Sequence, residues 1–525
     1  MRKGGKKNMK RKIIGICIGM LMIATTVPAV GTKNDYREQN TAMFFPPGVD
    51  WMETYGGEEF NWIFDIKKST TDDGYIAGGI QECQNRMCAW MLKIDKNGTE
   101  EWSTINDLWY GLYPVQDEIS VQCVLPIEDG FLAGGYGYYN DTGDTIVGYL
   151  WKVNLTGETQ WLKGLWNETE IWSVSPFDMI QVDDEIICCG WQWYQTTPPN
   201  IELDAAWFKT DLDGNLDESS VHNYDSGGWD WVRSIWVCDD GGYFLAGSTD
   251  EPNPSVDLGA AYIIKTDSNG NKEWDQIFDG PAWDSITTHG CRQTSDGGYI
   301  IAGNSGSYGD TMQDLWIVKT NALGNMTWNK TYGGEHDDYC LGMDAVDGGY
   351  VFVVIKDAWK STDNLEDLQI IETDEDGNKT WEFTVFEPGI QWIQSIHQIE
   401  DGGFIVAGRN GHLNSPDCSG LIMEIAPFPR FTIDISGGLG VIATITNNGA
   451  GDAVNVPCEI TVQGGILGLV NKVKSEYLNI PVGDLQTVST GLFFGLGPVT
   501  ITVEVGVIET TTSGKMFGPF VFGVS

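Results

Sequence analysis

A pattern of acidic residue, glycine, aromatic and then apolar or small residues returns seven times along the chain. It reads DDGYIAGG around Tyr75, EDGFLAGG around Phe131, DDEIICCG around Ile186, DGGYFLAG around Tyr243, DGGYIIAG around Tyr299, DGGYVFVV around Tyr350 and DGGFIVAG around Phe404. Successive copies stand 56, 55, 57, 56, 51 and 54 residues apart. A period of this length restricts the chain to a repeat architecture in which each unit buries its apolar faces against its neighbours.

Each unit continues into a second motif: LKIDKNGTEEW ending at Trp102, WKVNLTGETQW at Trp161, FKTDLDGNLDE at Glu218, IKTDSNGNKEW at Trp274, VKTNALGNMTW at Trp328 and IETDEDGNKTW at Trp381. Asp-Gly-Gly and Asp-x-Asn-Gly supply the positive φ angles of tight turns, and the flanking β-branched and aromatic residues suit strands. A further apolar stretch precedes each first turn, as in WVRSIWV from Trp231 and WIQSIHQI from Trp392. Every unit therefore has four short strands, here a to d. Seven such units predict an all-β chain with a seven-bladed β-propeller, since closing a ring leaves only short, protected edges.

The seventh unit ends after strand c at Pro427 and Pro429, without a strand d. Asp50 to Gly57 (DWMETYGG) matches Trp328 to Gly334 (WNKTYGG), a strand d with its following loop. The N-terminal strand is expected to complete the last blade.

All 22 Trp lie between Trp51 and Trp392. Beyond Ala426 come alternating strands with Gly and Asn turns, which suggest an immunoglobulin-like β-sandwich. At the other end, seven basic residues precede the apolar run Ile13 to Ala24 and a small-residue exit at Val27-Pro28-Ala29, the layout of a secretory signal peptide. The expected organisation is a signal peptide over 1–29, a linker over 30–49, the propeller over 50–426 and the sandwich over 427–525. The expected location is secreted, in association with the cell surface or free of it, with no membrane span after cleavage.

With 74 acidic against 31 basic residues the formal charge is −43, and about −50 once the signal is removed. A surface this negative repels phosphate, which excludes a nucleic-acid binder. Export permits disulfides, and Cys83 and Cys88 bracket a short polar loop that suits a local bridge. Seven sequons, at Asn97, Asn140, Asn154, Asn167, Asn325, Asn329 and Asn378, are glycosylation candidates.

The paired motifs resemble the DGGYIIAG…KTDxxGNxxW units of secreted archaeal and bacterial propeller proteins, over roughly 50–426. The segment ATITNNGAGDA in the tail resembles the small adhesion-type immunoglobulin-like domains that such proteins carry. The resemblance implies an exported, surface-associated or ligand-binding protein and carries over no catalytic residue.

Candidate chemistry is sparse. The turn Asp267-Ser268-Asn269-Gly270-Asn271 resembles the first half of an EF-hand loop but lacks the Glu at position 12. The expectation is therefore no metal and no cofactor, with weak calcium binding at Asp267, Asn269 and Asn271 as the alternative. Sialidase Asp-boxes place the aromatic three residues after the Gly, whereas Trp274 stands four after Gly270. Quinoprotein dehydrogenases share the Gly157 to Trp161 spacing and adjacent cysteines like Cys188-Cys189, but count eight blades. Of the five histidines, only His289 and His397 fall on strand a near the channel, and they read as structural. No Gly-x-Ser-x-Gly elbow, P-loop or HExxH occurs.

The loops entering strand a are aromatic and acidic, and the longest loop between strands b and c begins WQWY. Trp191, Trp193 and Tyr194, with Trp172, Trp231 and Trp392, are the expected ligand surface, because flat rings beside carboxylates suit sugars. The leading expectation is a non-enzymatic propeller that binds a glycan or protein at the cell surface. The alternatives are an extracellular enzyme, glycoside hydrolase or quinoprotein dehydrogenase, and a structural component of the cell envelope.

Overall fold

The computed structural model describes residues 48–524 apart from 58–59, 84–85, 107–118, 139–145, 168–171, 196–200, 251–258, 310–311, 359–366, 386–390, 412–417 and 507. Among these residues the chain is all-β, with two single-turn 3-10 segments and no α-helix. Strands a run over Asn61–Lys68, Ile119–Ile127, Trp172–Val182, Asp230–Val237, Asp284–Gln293, Asp337–Val346 and Gln391–Gln398. Each opens an antiparallel meander of four strands, grouped into sheets of four, eight, four, eight and four strands. The eight-stranded sheets arise where neighbouring units share ladder bonds, at Trp172 with Asn167 and at Thr288 with Gly342. The architecture is β-propeller-like.

The N-terminal strand Val49–Tyr55 lies antiparallel to Ser419–Ile425, with Met52 opposite Met423. Trp51 Nε1 donates to Glu424 Oε2 at 2.9 Å. A core cluster unites Tyr55, Ile63, Ile66 and Tyr75 with Ile405, Ala407 and Ile422, so the first and last repeats pack directly on each other.

The recurring Trp and Gly belong to one contact. Trp274 of one repeat lies over Gly324 of the next, where φ is +77° and a Cβ would come within 2.5 Å of the ring. Trp51 covers Gly98 and Trp102 covers Gly157 in the same way. The third repeat has Glu218 in place of its Trp, and Trp207 covers Gly270 instead. A tyrosine at the end of strand d adds a hydrogen bond to the same turn: Tyr55 to Gly98 O, Tyr224 to Gly270 O and Tyr332 to Gly377 O.

A second recurrence explains the acidic turn. The buried amines of Lys93, Lys152, Lys265 and Lys319 pair with Asp72, Asp129, Asp240 and Asp296 of their own turns at 2.8–2.9 Å. In these four repeats the turn neutralises its own charge, whereas the sixth and seventh place Glu372 and Glu424 at the lysine position.

Beyond Pro429, Phe431–Asn447 and its successors form one continuous seven-stranded ladder around a core of Val441, Ala443, Ile460, Val462, Ile501 and Val503. This unit meets the repeats at their turn face. Phe428 stacks on Trp381, Arg430 Nε reaches Glu372 Oε1 at 2.8 Å, and Arg430 Nη1 donates to Asp347 O in the turn after the sixth strand a.

Candidate functional site

Strand a is the innermost strand of each meander, and in most repeats it carries one bulged residue, such as Phe64 opposite the step from Gly79 to Gly78. The residue after the bulge is Asp65, Cys123, Asp178, Ser234, Gly342 or Ser395 in six of the repeats. Two positions on stand Lys67, Leu125, Ile180, Trp236, Asp344 and His397. The fifth repeat departs from this rule, because Asp284 to Cys291 holds two residues more than Asp230 to Ile235 at the same ladder positions. That insertion carries His289 in a left-handed conformation, φ +54°, which is uncommon and costs a non-glycine residue energy.

His289 crosses to two other repeats. Its Nε2 lies 3.1 Å from Asp65 Oδ1 and its Nδ1 lies 3.3 Å from Asp178 Oδ2. His397 Nε2 faces the same Asp65 Oδ1 at 3.9 Å, and its Nδ1 faces Asp344 Oδ2 at 3.6 Å. Ser395 Oγ donates to Asp65 Oδ1 at 3.2 Å. Lys67 Nζ stands 3.5 Å from Asp178 Oδ1, and Arg292 Nη2 binds Asp344 Oδ1 at 2.9 Å while lying over Trp236. Five repeats thus send charged side chains to one point in the channel.

The carboxylates are anchored by backbone. Asp65 Oδ2 accepts from Val124 N, Asp178 Oδ2 from Ile235 N and Asp344 Oδ2 from Gln398 N, each in the following repeat. Burial opposes ionisation of Asp65, but Lys67 and His289 outweigh it and hold the carboxyl well below its usual range. For Asp178 burial is likewise outweighed by His289 and Lys67, and its value falls to about 2. Burial works against the His289 cation, yet Asp178 and Asp65 push its pKa up to about 9. The interior part is closed off, whereas Asp344, His397 and Lys67 keep partly accessible side chains toward the end of the channel bordered by the Asp-Gly-Gly turns.

The residues expected at a ligand surface lie elsewhere. Trp191 and Trp193 are only 1% and 5% exposed, packed with Tyr136, Phe177, Leu203 and Trp231. The supposed loop is a hairpin extension: strand Glu185–Gln195 continues into Ile201–Asp211, and alternation along it turns both indoles inward. Trp231 and Trp392 are buried too, while Trp172 and Tyr194 are half-buried, the latter donating to Asp204 Oδ2 at 2.9 Å. This corrects the expectation for Trp191, Trp193, Trp231 and Trp392. At the Asp267 turn, Oδ1 accepts from the backbone of Asn269 and Asn271, and Oδ2 from the Asn271 side chain, so local donors hold both carboxylate oxygens.

Cys83 and Cys88 are joined as expected. Cys188 and Cys189 are free thiols in two different core clusters, which removes the adjacent-cysteine likeness to quinoproteins. Asn97, Asn325, Asn329 and Asn378 are exposed, Asn154 and Asn167 half-buried, and Asn140 and His412 lie outside the described residues, as does the segment 1–29. Among the described residues no helix is long and apolar enough to cross a membrane. Asp65, Asp178 and Asp344 escaped sequence reasoning. Their one signal is that each puts a carboxylate where most other repeats have Cys, Ser, Gly, Leu, Ile or Trp, with Lys67 and His397 the other charged or imidazole departures.

Fold and site together define a β-propeller-like protein with a buried carboxylate and imidazole cluster in its channel. No protein-family model matches the chain, and no curated protein does. Among solved structures it is similar to a puromycin hydrolase, at 13% identity and a TM-score of 0.44, over 77% of this chain and 62% of that one. It is also similar to an α-L-arabinofuranosidase from Fusarium graminearum, at 7% identity and a TM-score of 0.37, over 73% and 98%. An α-L-arabinanase from Penicillium chrysogenum gives 12% identity and a TM-score of 0.34, over 72% and 96%. The chain therefore spans under two thirds of the first of these, and the likeness is one of architecture. These neighbours are hydrolases by name, and the expectation of a non-enzymatic binding propeller gives way to its enzyme alternative, which is taken up below as a proposal.

Proposed function

We propose that the chain is an exported glycoside hydrolase built on a seven-bladed β-propeller, with its reaction in the central channel. The observation that carries this reading is the channel cluster itself: three carboxylates and two imidazoles, from five repeats, meet where most other repeats place small or apolar residues. Hydrolysis of a glycosidic bond needs carboxylates flanking the bond and a group that moves a proton. Asp344 and His397 form the accessible rim that a sugar would meet, and Asp65, Asp178 and His289 hold them from behind.

The same reading takes 1–29 as a cleaved signal peptide, 30–49 as linker, 50–426 as the propeller and 427–525 as an immunoglobulin-like sandwich rolled from one ladder. The last of these stands beside the turn-side channel mouth, where it would help to hold a polymer. Occupied sequons on the exposed asparagines would fit an exported chain.

The test is reducing-sugar release from a panel of polysaccharides and chromogenic glycosides, arabinan and galactan included. His397→Ala and Asp344→Asn should each lower turnover by about 100-fold or more at an unchanged urea midpoint. No cleavage of any panel member, or variants that work at the parental rate, would overturn the proposal.

A further inference from the structure

The two imidazoles are arranged alike although they come from different blades. In each, Nδ1 faces a carboxylate, Asp178 for His289 at 3.3 Å and Asp344 for His397 at 3.6 Å. In each, Nε2 is turned to one shared atom, Asp65 Oδ1, at 3.1 and 3.9 Å. Asp65, His289 and His397 bring one ligand-type atom apiece to within 4.8 Å of the others.

We propose that Asp65, His289 and His397 form a binding site for a divalent transition metal of the zinc class, with Asp178 and Asp344 as the carboxylates that orient the two histidine ligands. Ligands about 2.0–2.1 Å from a tetrahedral zinc lie about 3.3 Å from one another. The His289 pair already has that spacing, and the partly exposed His397 ring needs to close by about half an ångström to match. A carboxylate on Nδ1 fixes the ring and leaves Nε2 for the metal, the usual outer partner of a metal-bound histidine.

Further features separate this from a plain ion-paired plug. Asp65 divides its oxygens: Oδ2 is tied to Val124 N and lies on the side of Lys67, while Oδ1 is turned to the two imidazoles and the Ser395 hydroxyl. The left-handed His289 and its two-residue insertion have no counterpart in the other repeats, and an ion pair across the channel needs neither. The donor set, two nitrogens and one oxygen, suits zinc, cobalt, iron or manganese rather than calcium, which takes six to eight oxygens. Ser395 Oγ, 3.4 Å from His397 Nε2, lies beside the unfilled side of the site.

The site coincides with the one to which hydrolysis is assigned, so this inference rests on that placement, but binding is read without turnover. The purified full chain is titrated with cobalt(II) and followed by its visible ligand-field bands, with zinc(II) as competitor. One cobalt per chain, displaced by zinc, is expected. His397→Ala should weaken binding by at least 100-fold, and the isosteric Asp344→Asn by about 10–100-fold. Absence of the bands at saturating cobalt, or His397→Ala binding as tightly as the parent, overturns the site; if His397→Ala does not fold, Asp344→Asn decides alone. A chain that binds cobalt but cleaves no glycan refutes the hydrolase and keeps the metal, and the converse result does the reverse.

Discussion

Replacing Asp230 by Asn should invert its effect on stability between pH 3.5 and pH 8. Asp230 opens the fourth strand a, is fully buried, and accepts hydrogen bonds from Ser226 N at 2.8 Å and Ser226 Oγ at 2.6 Å. Burial raises its pKa, and nearby Asp204 adds to the rise against those hydrogen bonds, giving about 7. Asp204 and the exposed Asp225 face it within 4.8 Å, and no cation pairs with it among the described residues. A raised folded-state pKa means that the folded chain holds the proton more tightly than the unfolded one. The associated stability is fully present below about pH 4 and is lost as pH rises to about 7. At about 1.4 kcal/mol per unit, the roughly three units between pH 4 and 7 amount to about 4 kcal/mol. The neutral amide removes this dependence and weakens one acceptor, a cost of about 1 kcal/mol. Urea unfolding followed by tryptophan fluorescence should find the variant less stable than the parent by about 1 kcal/mol near pH 3.5, where the parent still holds its proton in both states, and more stable at pH 8 by about 3. Parallel pH profiles for the two proteins would show that Asp230 is ionised throughout, and the reasoning would fail.

Three further outcomes can be checked. Gly324→Ala and Gly297→Ala share the same left-handed backbone, φ +77° and +78°, but only the first meets Trp274; thermal unfolding should show about 1 kcal/mol lost at Gly297 and roughly 2–3 at Gly324. Equal losses would mean the tryptophan yields freely. Removing 48–56 should expose the edge of Ser419–Ile425, lower stability by roughly 3 kcal/mol or more through lost burial of Val49 and Tyr55, and raise light scattering on heating. The eight free cysteines from Cys123 to Cys458 are all buried, so iodoacetamide should label them only in denaturant.

Much of the architecture is legible because it is repeated. Seven copies of a turn signal average out local ambiguity, and the match of Asp50 to Gly57 with the end of other units already implied the pairing now seen between Val49–Tyr55 and Ser419–Ile425. The Cys83–Cys88 bridge was legible for a different reason, its local span of five residues. Trp191 and Trp193 misled because a pair of indoles outside the repeat pattern reads as a surface feature, whereas alternation along an extended hairpin decides which way each faces.

What the sequence determined by itself is the repeat, its turns, the closing strand and a surface too acidic for nucleic acid, all of them properties of short segments or of their sum. What only the tertiary structure decided is the channel cluster. Asp65, Asp178, His289, Asp344 and His397 each appear once, in different repeats and more than fifty residues from one another along the chain, and nothing local marks them as partners. They meet because the innermost strands of successive repeats pack side by side around one channel, where distances of 3 to 4 Å are set by that packing and not by separation in sequence.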